Sequence, residues 1–320
     1  MRIEVLGAES LGVRALSCMV ETRTRRVVID PGLALGYQRH GLLPHPAQVA
    51  VGEQVRRRIQ AALSDATDVV LSHFHGDHVP LPDANPYQLR LQDVACSLRT
   101  IPLWCKGPDG LSPRMRRRRA SLGDALHGDL PNAEGRSNGP LTFSQAVAHG
   151  EPDGRLGTVM MTRIEDEETV FVHASDIQLL GADAVELILS WHPDIVLVGG
   201  PPLYLPRLSP DLRQRAWTQA LRLAEGVQTL ILDHHVLRST EGLSRLQKLA
   251  LQTDHQVLCA ADFAGLPRCL LEAWRRQLYL EMPVPAGWHE AYALGEADTQ
   301  DYRQYRRQCT QIPNETDPSA

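Results

Sequence analysis

The strongest constraint in this sequence is a short apolar segment, residues 68–72, that runs directly into the hexapeptide HFHGDH at residues 73–78. The segment DVVLS has the β-branched, apolar character of a buried strand, so the hexapeptide lies where a strand ends. It offers three imidazoles and a carboxylate but no thiolate. These ligands are typical of zinc, manganese or iron sites, and the segment therefore predicts a metal site at a strand end.

The spacing within the hexapeptide has a geometric meaning. Side chains two apart on an extended chain share a face, so His73 and His75 converge while the residue between them points into the core. Gly76 permits a sharp turn, which brings Asp77 and His78 round to a second position nearby. The pattern predicts two adjacent groups of ligands rather than one.

Further ligand-type side chains follow other apolar runs. Asp30 ends RRVVID before a Pro-Gly turn, and His149 follows LTFSQAVA. Asp176 closes FVHASD, and His234 and His235 follow TLILD. Each is a place where a strand delivers a polar side chain to a loop, and together with the hexapeptide they favour one shared metal centre.

This order of motifs resembles the metallo-β-lactamase superfamily, whose fold is an α/β, four-layer αββα sandwich. The resemblance extends from residue 1 to about residue 260, and LGAESLGVR, IDPG and DHHVLR further resemble an uncharacterised cytosolic branch. It implies two divalent metal ions, with zinc expected and Mn²⁺ or iron as alternatives. The implied ligands are His73, His75 and His149 for one ion, Asp77, His78 and His234 for the other, and Asp176 as a bridge, with Asp30 orienting a ligand histidine.

The choice between His234 and His235 stays open. In nuclease-like members with a similar last strand, the ligand lies four residues before an arginine, and counting back from Arg238 favours His234. His235 would then lie just outside the ligands or donate a proton near the leaving group.

The resemblance implies a metal-dependent hydrolase. Two adjacent divalent ions lower the pKa of bound water and supply a hydroxide nucleophile at neutral pH. Asp77 or Asp176 could accept the proton of that water, so both are candidate catalytic residues beside His235.

The substrate is predicted to be a phosphodiester, in a nucleotide or a nucleic acid. Arg117 and Arg118 lie in an arginine-rich stretch with Lys106 upstream, and guanidinium groups bind phosphates bidentately. Tyr204 follows a Gly-Gly-Pro-Pro turn and could donate a hydrogen bond. The alternatives are hydrolysis of lactones, thioesters or related acyl compounds, and oxidation chemistry with two irons.

The composition of the chain restricts which partners the protein can bind and where in the cell it is expected. The net charge of −5 argues against a surface that embraces nucleic acid as a whole, so an anionic small molecule or a locally bound nucleic acid is expected. No apolar run is long enough for a membrane helix, and the first residues lack a signal peptide. The six cysteines include no CxxC pair, which favours the cytoplasm. The oligomeric state cannot be read.

The chain is predicted to form one domain over residues 1–309. Early strands are followed by alternating strands and helices, a pattern that indicates layered α/β architecture. Residues 106–140 are rich in Gly, Pro and Arg and predict a long loop insertion, and residues 310–320 predict a disordered tail. Helices are expected at 50–64, 178–191, 210–224, 242–253 and 266–280.

Overall fold

The computed structural model describes residues 1–151 and 154–302, and the expected tail at 310–320 lies outside them. The first half of the chain forms five strands and three α-helices. In chain order they are β1 (Arg2–Gly7), β2 (Ser17–Glu21), β3 (Arg26–Ile29), α1 (Pro46–Ser64), β4 (Asp68–Leu71), α2 (Ala95–Thr100), β5 (Leu103–Cys105) and α3 (Pro113–Leu126), with a 3₁₀ turn at Leu91–Asp93.

The second half supplies the remaining described elements. They are β6 (Ser137–Asn138), β7 (Leu141–Phe143), β8 (Val147–Ala148), β9 (Thr158–Val159), β10 (Thr162–Asp166), β11 (Thr169–His173), α4 (Ala182–Ser190), β12 (Ile195–Val198), α5 (Pro210–Gly226), β13 (Thr229–Leu232), α6 (Glu241–Ala250), β14 (Gln256–Leu258), α7 (Ala260–Phe263), α8 (Arg275–Glu281) and α9 (Trp288–Leu294).

The strands form two large sheets and one small one. The first sheet has the order β1-β2-β3-β4-β5, with parallel pairing from β3 to β5. The second has the order β14-β13-β12-β11-β10-β7-β6, and its four strands from β11 to β14 are parallel. The pair β8-β9 lies apart from both. Parallel strands bring their carboxyl ends to one edge of a sheet, where sites in α/β proteins are usually built.

Alternation along β3 shows how the layers stack. Val27 and Ile29 lie in the apolar core that the first sheet shares with the second. Val28, between them, packs instead with Val55 and Ile59 of α1. Because successive strand residues point to opposite faces, the first sheet is covered by the second sheet on one side and by helix on the other.

Helices also cover the second sheet. Val185 of α4, Leu223 of α5 and Leu246 of α6 are buried in the same core as Val196 and Leu230 of the parallel strands. The arrangement is helix, sheet, sheet, helix, so the predicted αββα fold is confirmed. Within the described residues no helix combines the length and apolar character needed to cross a membrane.

The expected loop insertion at 106–140 is wrong over much of its length, because α3 occupies 14 of its residues. Ser112 caps this helix by accepting a hydrogen bond from the Met115 backbone N–H, 3.4 Å away. Met115 and Leu122 are buried on one face, seven positions apart. The helix ends at His127, whose left-handed φ of 68° stops it. With so few large apolar residues, α3 gives little periodic signal.

Two other helix boundaries differ from expectation. α1 begins at Pro46 rather than residue 50, because His45 and Gln48 form a capping box around its first turn. The helix expected at 266–280 is helical only over α8. Leu270 and Leu271 are buried in non-helical chain, so their helix-like spacing reflected burial alone.

Candidate metal centre

The predicted ligands lie shortly after the ends of strands in all three sheets. β3 is followed by Asp30, β4 by the hexapeptide at 73–78, β8 by His149, β11 by Asp176 and β13 by His234. β3 and β4 are parallel in the first sheet, and β11 and β13 are parallel in the second, so in each sheet residues distant in the chain reach the same edge. His149 comes instead from the small antiparallel pair.

The first donor set consists of His73, His75, His149 and Asp176, whose ligand-type atoms all lie within 4.8 Å of one another. His73 Nε2 is 3.0 Å from His75 Nδ1, and His149 Nε2 is 3.1 Å from Asp176 Oδ2. The same carboxylate oxygen is 3.7 Å from His75 Nδ1. Three ring nitrogens and one oxygen therefore surround a single point.

The second donor set consists of Asp77, His78 and His234, which also meet within 4.8 Å. His234 Nε2 is 3.6 Å from Asp77 Oδ2. Asp176 reaches this set as well, since its Oδ2 is 3.7 Å from His78 Nε2 and its Oδ1 is 3.4 Å from His234 Nε2. Asp176 thus lies between the two sets.

Both histidines after β13 face the site. His235 Nε2 is 2.7 Å from Asp176 Oδ1 and 3.5 Å from His149 Nε2. On an extended strand two consecutive side chains would point in opposite directions. His234 instead has a φ of 58°, in the left-handed region, and this turn lets both imidazoles point inward. Which of the two binds metal stays a prediction.

Left-handed backbone recurs around the centre at non-glycine residues. Asp30 has a φ of 49° and Ser175 a φ of 56°, directly after β3 and close after β11. Such conformations cost of order 1–3 kcal/mol each and persist where the surroundings enforce them, often at functional sites. The strained backbone at Asp30 and Ser175 therefore helps to direct their side chains toward the centre.

A hydrogen-bonded network orients the histidines. Asp30 accepts a hydrogen bond from His78 Nδ1 at 2.9 Å and another from the Ser72 backbone N–H at 2.8 Å. The hydroxyls of Ser72 and Ser175 lie 3.0 and 3.3 Å from His73 Nδ1. These contacts turn Nε2 of both histidines toward the ligands, as outer partners of metal-binding histidines do.

The donor set fits a divalent cation. The buried Nε2 of His78 has no hydrogen-bond partner in the described structure although it faces Asp176. His73 Nε2 and His75 Nδ1 point at each other, and two lone pairs can converge stably only on a shared cation or proton. The first set, with its imidazoles and one carboxylate, matches the ligand types that zinc prefers.

The electrostatics keep His73, His234 and Asp77 in metal-binding form. Burial lowers the pKa of the His73 and His234 imidazoles well below their ordinary value, and Arg238 lowers that of His234 further. Burial alone would raise the pKa of Asp77, but the neighbouring His78 and Arg238 hold it well below its usual range. Neutral imidazoles and ionised carboxylates are the states that bind metal.

Three residues near the centre were not among the predicted site residues. Gln178 lies with Nε2 3.3 Å from His149 Nε2 and 3.4 Å from His235 Nε2. The carboxylate of Glu9 is 3.6 Å from His234 Nδ1, and Arg238 Nη2 is 2.6 Å from His234 Nε2. The sequence carried only weak indications that these residues lie near the site. Gln178 is two residues after Asp176, and Glu9 follows the first strand.

Lys106 was predicted to contact the substrate, and the structure contradicts this prediction. It is fully buried, and its ammonium contacts Glu134 Oε1 at 2.8 Å and the carbonyl oxygens of Asp109 and Gly107 at 2.6 and 3.2 Å. The ammonium is therefore engaged in one ion pair and two hydrogen bonds, and its burial leaves no surface for a substrate to contact. Lys106 secures the chain after β5.

The two predicted arginines, Arg117 and Arg118, have different surroundings on α3. Arg117 is exposed, whereas Arg118 is half-buried and donates from Nη1 to the Phe74 carbonyl oxygen at 3.3 Å. The Nη2 of Arg118 lies 3.1 Å from the position that a Cβ on Gly76 would take. Arg118 therefore touches the hexapeptide loop itself.

Tyr204 lies beside a different arginine. The guanidinium carbon of Arg39 is 5.4 Å from the centre of the Tyr204 ring, within the range of a cation–π contact. Arg39 also donates to the carbonyl oxygen of Arg238. Tyr204 is thus connected to the centre through these two arginines.

Residues 12–79 match the family model of the Metallo-beta-lactamase superfamily, and the matched range ends just past the hexapeptide. This confirms the resemblance found in the sequence. The matched segment is similar to that superfamily, and the His/Asp clusters beside it are suited to divalent metal.

The particular family follows from relatives that match along their whole length. The chain belongs to the UPF0282 family. A UPF0282 protein of Methanosarcina mazei is 50% identical over 302 residues, covering 94% of this chain and 99% of that protein. A second, from Methanopyrus kandleri, is 36% identical over 290 residues, covering 87% and 99%.

Solved structures are more distant. A metal-dependent hydrolase of the beta-lactamase superfamily has 14% sequence identity and a TM-score of 0.47, covering 81% of this chain and 95% of that one. A likeness at this distance has no bearing on the substrate.

Proposed function

We propose that this protein hydrolyses a phosphodiester, in a nucleotide or a nucleic acid, with two divalent cations. Zinc is the ion that the ligands suit best. The observation that carries the substrate class is the position of Arg118, whose guanidinium lies against the hexapeptide loop. A phosphodiester is anionic, and a guanidinium beside the ligands is a natural partner for it.

The ligand assignments belong to the same proposal. His73, His75 and His149 would hold one ion and Asp77, His78 and His234 the other, with Asp176 shared between them. When bound, such ions lower the pKa of water toward neutrality and stabilise negative charge on an attacked phosphate. Their placement here rests on the convergence of the two donor sets within 4.8 Å each.

Asp77 and Asp176 are the candidates to accept the proton of the attacking water, and Asp77 is the more exposed of the two. Its side chain is 19% exposed, whereas that of Asp176 is 2% exposed and shared by both donor sets. A carboxylate that reaches solvent can pass the proton on.

His235 has a second role in this proposal. Burial lowers its pKa to about 4, so the ring is neutral at neutral pH. Its Nε2, 2.7 Å from Asp176 Oδ1, is suited to hold that carboxylate in place, and a proton for the leaving group could pass through the same ring.

The cytoplasm remains the proposed location. Four of the cysteines, Cys18, Cys96, Cys105 and Cys259, are free thiols, as a reducing compartment would keep them.

The test compares bis-p-nitrophenyl phosphate with a panel of neutral lactones. We expect turnover of the diester, and we expect Arg118→Ala to raise KM for it by about tenfold or more, the worth of one charge-assisted hydrogen bond of about 1.5–3 kcal/mol. Arg117→Ala, one position away on α3 but exposed, is the matched control and should change little.

Turnover of lactones without the diester would assign acyl hydrolysis instead. Equal effects of the two arginine variants would remove Arg118 from substrate binding. Iron with visible absorption in the purified protein would point to oxidation chemistry.

A further inference from the structure

Arg238 lies inside the metal centre rather than at its rim. Its side chain is 9% exposed, and its Nη2 is 2.6 Å from His234 Nε2 and 3.4 Å from Asp77 Oδ2. The backbone holds it there, because the Arg238 carbonyl oxygen accepts a hydrogen bond from the Arg39 side chain. The guanidinium thus faces two of the three residues of the second donor set.

The atoms that Arg238 contacts are the ones that a metal ion would need. An imidazole nitrogen has one lone pair, and it can be directed at a guanidinium N–H or at a cation but not at both. A guanidinium does not lose its proton in proteins, so it cannot become neutral when a dication arrives. The two positive charges would also repel each other strongly in a buried site.

The first donor set has no such competitor among the described residues. Apart from Asp176, which belongs to the set, the side chains in hydrogen-bond contact with its three histidines are the neutral groups of Ser72, Ser175, Gln178 and His235. An ion can enter the first set without displacing a charge.

We propose that the Arg238 guanidinium competes with the second metal ion for His234 and Asp77, so that the first donor set fills first and Arg238 sets the affinity of the second. The inference rests on the proposed function only in assuming that divalent metal binds at this centre.

Glu9 is a potential partner for the Arg238 guanidinium once a metal ion displaces it. It is fully buried, and both of its carboxylate oxygens lack a hydrogen-bond partner in the described structure. Its Oε2 is already 3.6 Å from Arg238 Nε, within ion-pair distance, and a small movement of the guanidinium would bring the two into hydrogen-bond range. Such a hydrogen bond would offset part of the cost of burying the Glu9 carboxyl group.

The test is a Zn²⁺ titration of the full chain by calorimetry, with elemental analysis after dialysis, on the wild type, Arg238→Gln and Arg245→Gln. Arg245 is an exposed arginine of α6 and serves as the matched control. We expect the wild type to hold one ion tightly and a second at least about tenfold more weakly, a difference of about 1.4 kcal/mol. Arg238→Gln should tighten the second step by about tenfold or more and leave the first unchanged.

An unchanged second step in folded Arg238→Gln, or equal tightening in Arg245→Gln, would overturn the inference. If Arg238→Gln does not fold, the double variant Glu9→Gln/Arg238→Gln takes its place, because it removes the buried guanidinium together with the acid beside it. It should tighten the second step as well, and a second step no tighter than in the wild type would again contradict the inference.

The readout is binding, so two failures can be told apart. Absence of zinc binding in every variant would reject the proposed function itself. Two equally tight ions in every variant would reject only the competition by Arg238.

Discussion

The two donor sets share Asp176 but are built in different ways. Besides that carboxylate, the first set uses only imidazoles, and hydroxyl groups orient His73. The second set contains Asp77 and has further charged groups beside it: Asp30 contacts His78, and Arg238 contacts His234. An ion in the first set therefore meets imidazole rings and the shared Asp176, whereas an ion in the second must fit among further charges already present.

The largest effect that would test this comparison is expected from Asp77→Ala. We expect kcat/KM to fall by more than about 100-fold, because even the outer partners of metal ligands are worth about 10- to 100-fold. The second ion should be lost and the first retained, as measured by turnover and elemental analysis.

Asp124→Ala, on the exposed side of α3, is the control for Asp77→Ala and should behave as the wild type. Unchanged turnover in a metal-loaded Asp77→Ala protein would show that the second donor set is not needed.

A smaller and more selective effect is expected from Asp30→Asn. An asparagine weakens the acceptor that holds His78, so the second zinc-binding step should weaken by about 10- to 100-fold and the first by less. Calorimetry measures both steps. Ser175→Ala is the corresponding variant for the first set, because the hydroxyl of Ser175 contacts His73. Equal weakening of both steps in each variant would mean that the two sets are not independent.

The smallest effect concerns pH. Burial alone would lower the pKa of His78, but its hydrogen bond to Asp30 and the nearby carboxylates raise the pKa to about 9. Without metal this ring is protonated at neutral pH, so an ion entering the second set must release a proton. The affinity of the second step should therefore rise by about tenfold per pH unit as the pH approaches 9 and level off above it.

The first set should respond differently, because burial keeps the His73 ring neutral far below neutral pH. Zinc titrations over this pH range check the contrast. A first step with the same pH slope as the second would remove the distinction between the two sets.

Much of the architecture could be predicted because its signals are local. Short apolar runs marked β3, β4, β11 and β13, and predicted site residues follow each of them within three residues. The αββα fold followed from resemblance, and the structure confirms it. By contrast α3 was missed, since a helix that buries only Met115 and Leu122 as large side chains shows little periodicity.

The substrate-side residues show where sequence reasoning fails. Arg117 and Arg118 are adjacent and chemically identical, yet only Arg118 turns toward the hexapeptide loop. Lys106 looked available but is buried against Glu134. Neighbouring positions on a helix point about 100° apart, so small differences in how α3 packs decide which arginine meets the site.

The ligand types of this protein and the strand ends at which they lie are written locally in the chain, because a strand followed by a turn is encoded within about ten residues. Which polar and charged groups surround those ligands depends on the tertiary structure. Glu9, Gln178 and Arg238 come from three separate parts of the chain, and no local pattern records that they meet. Their positions depend on the packing of two sheets against each other, which is a property of the whole fold.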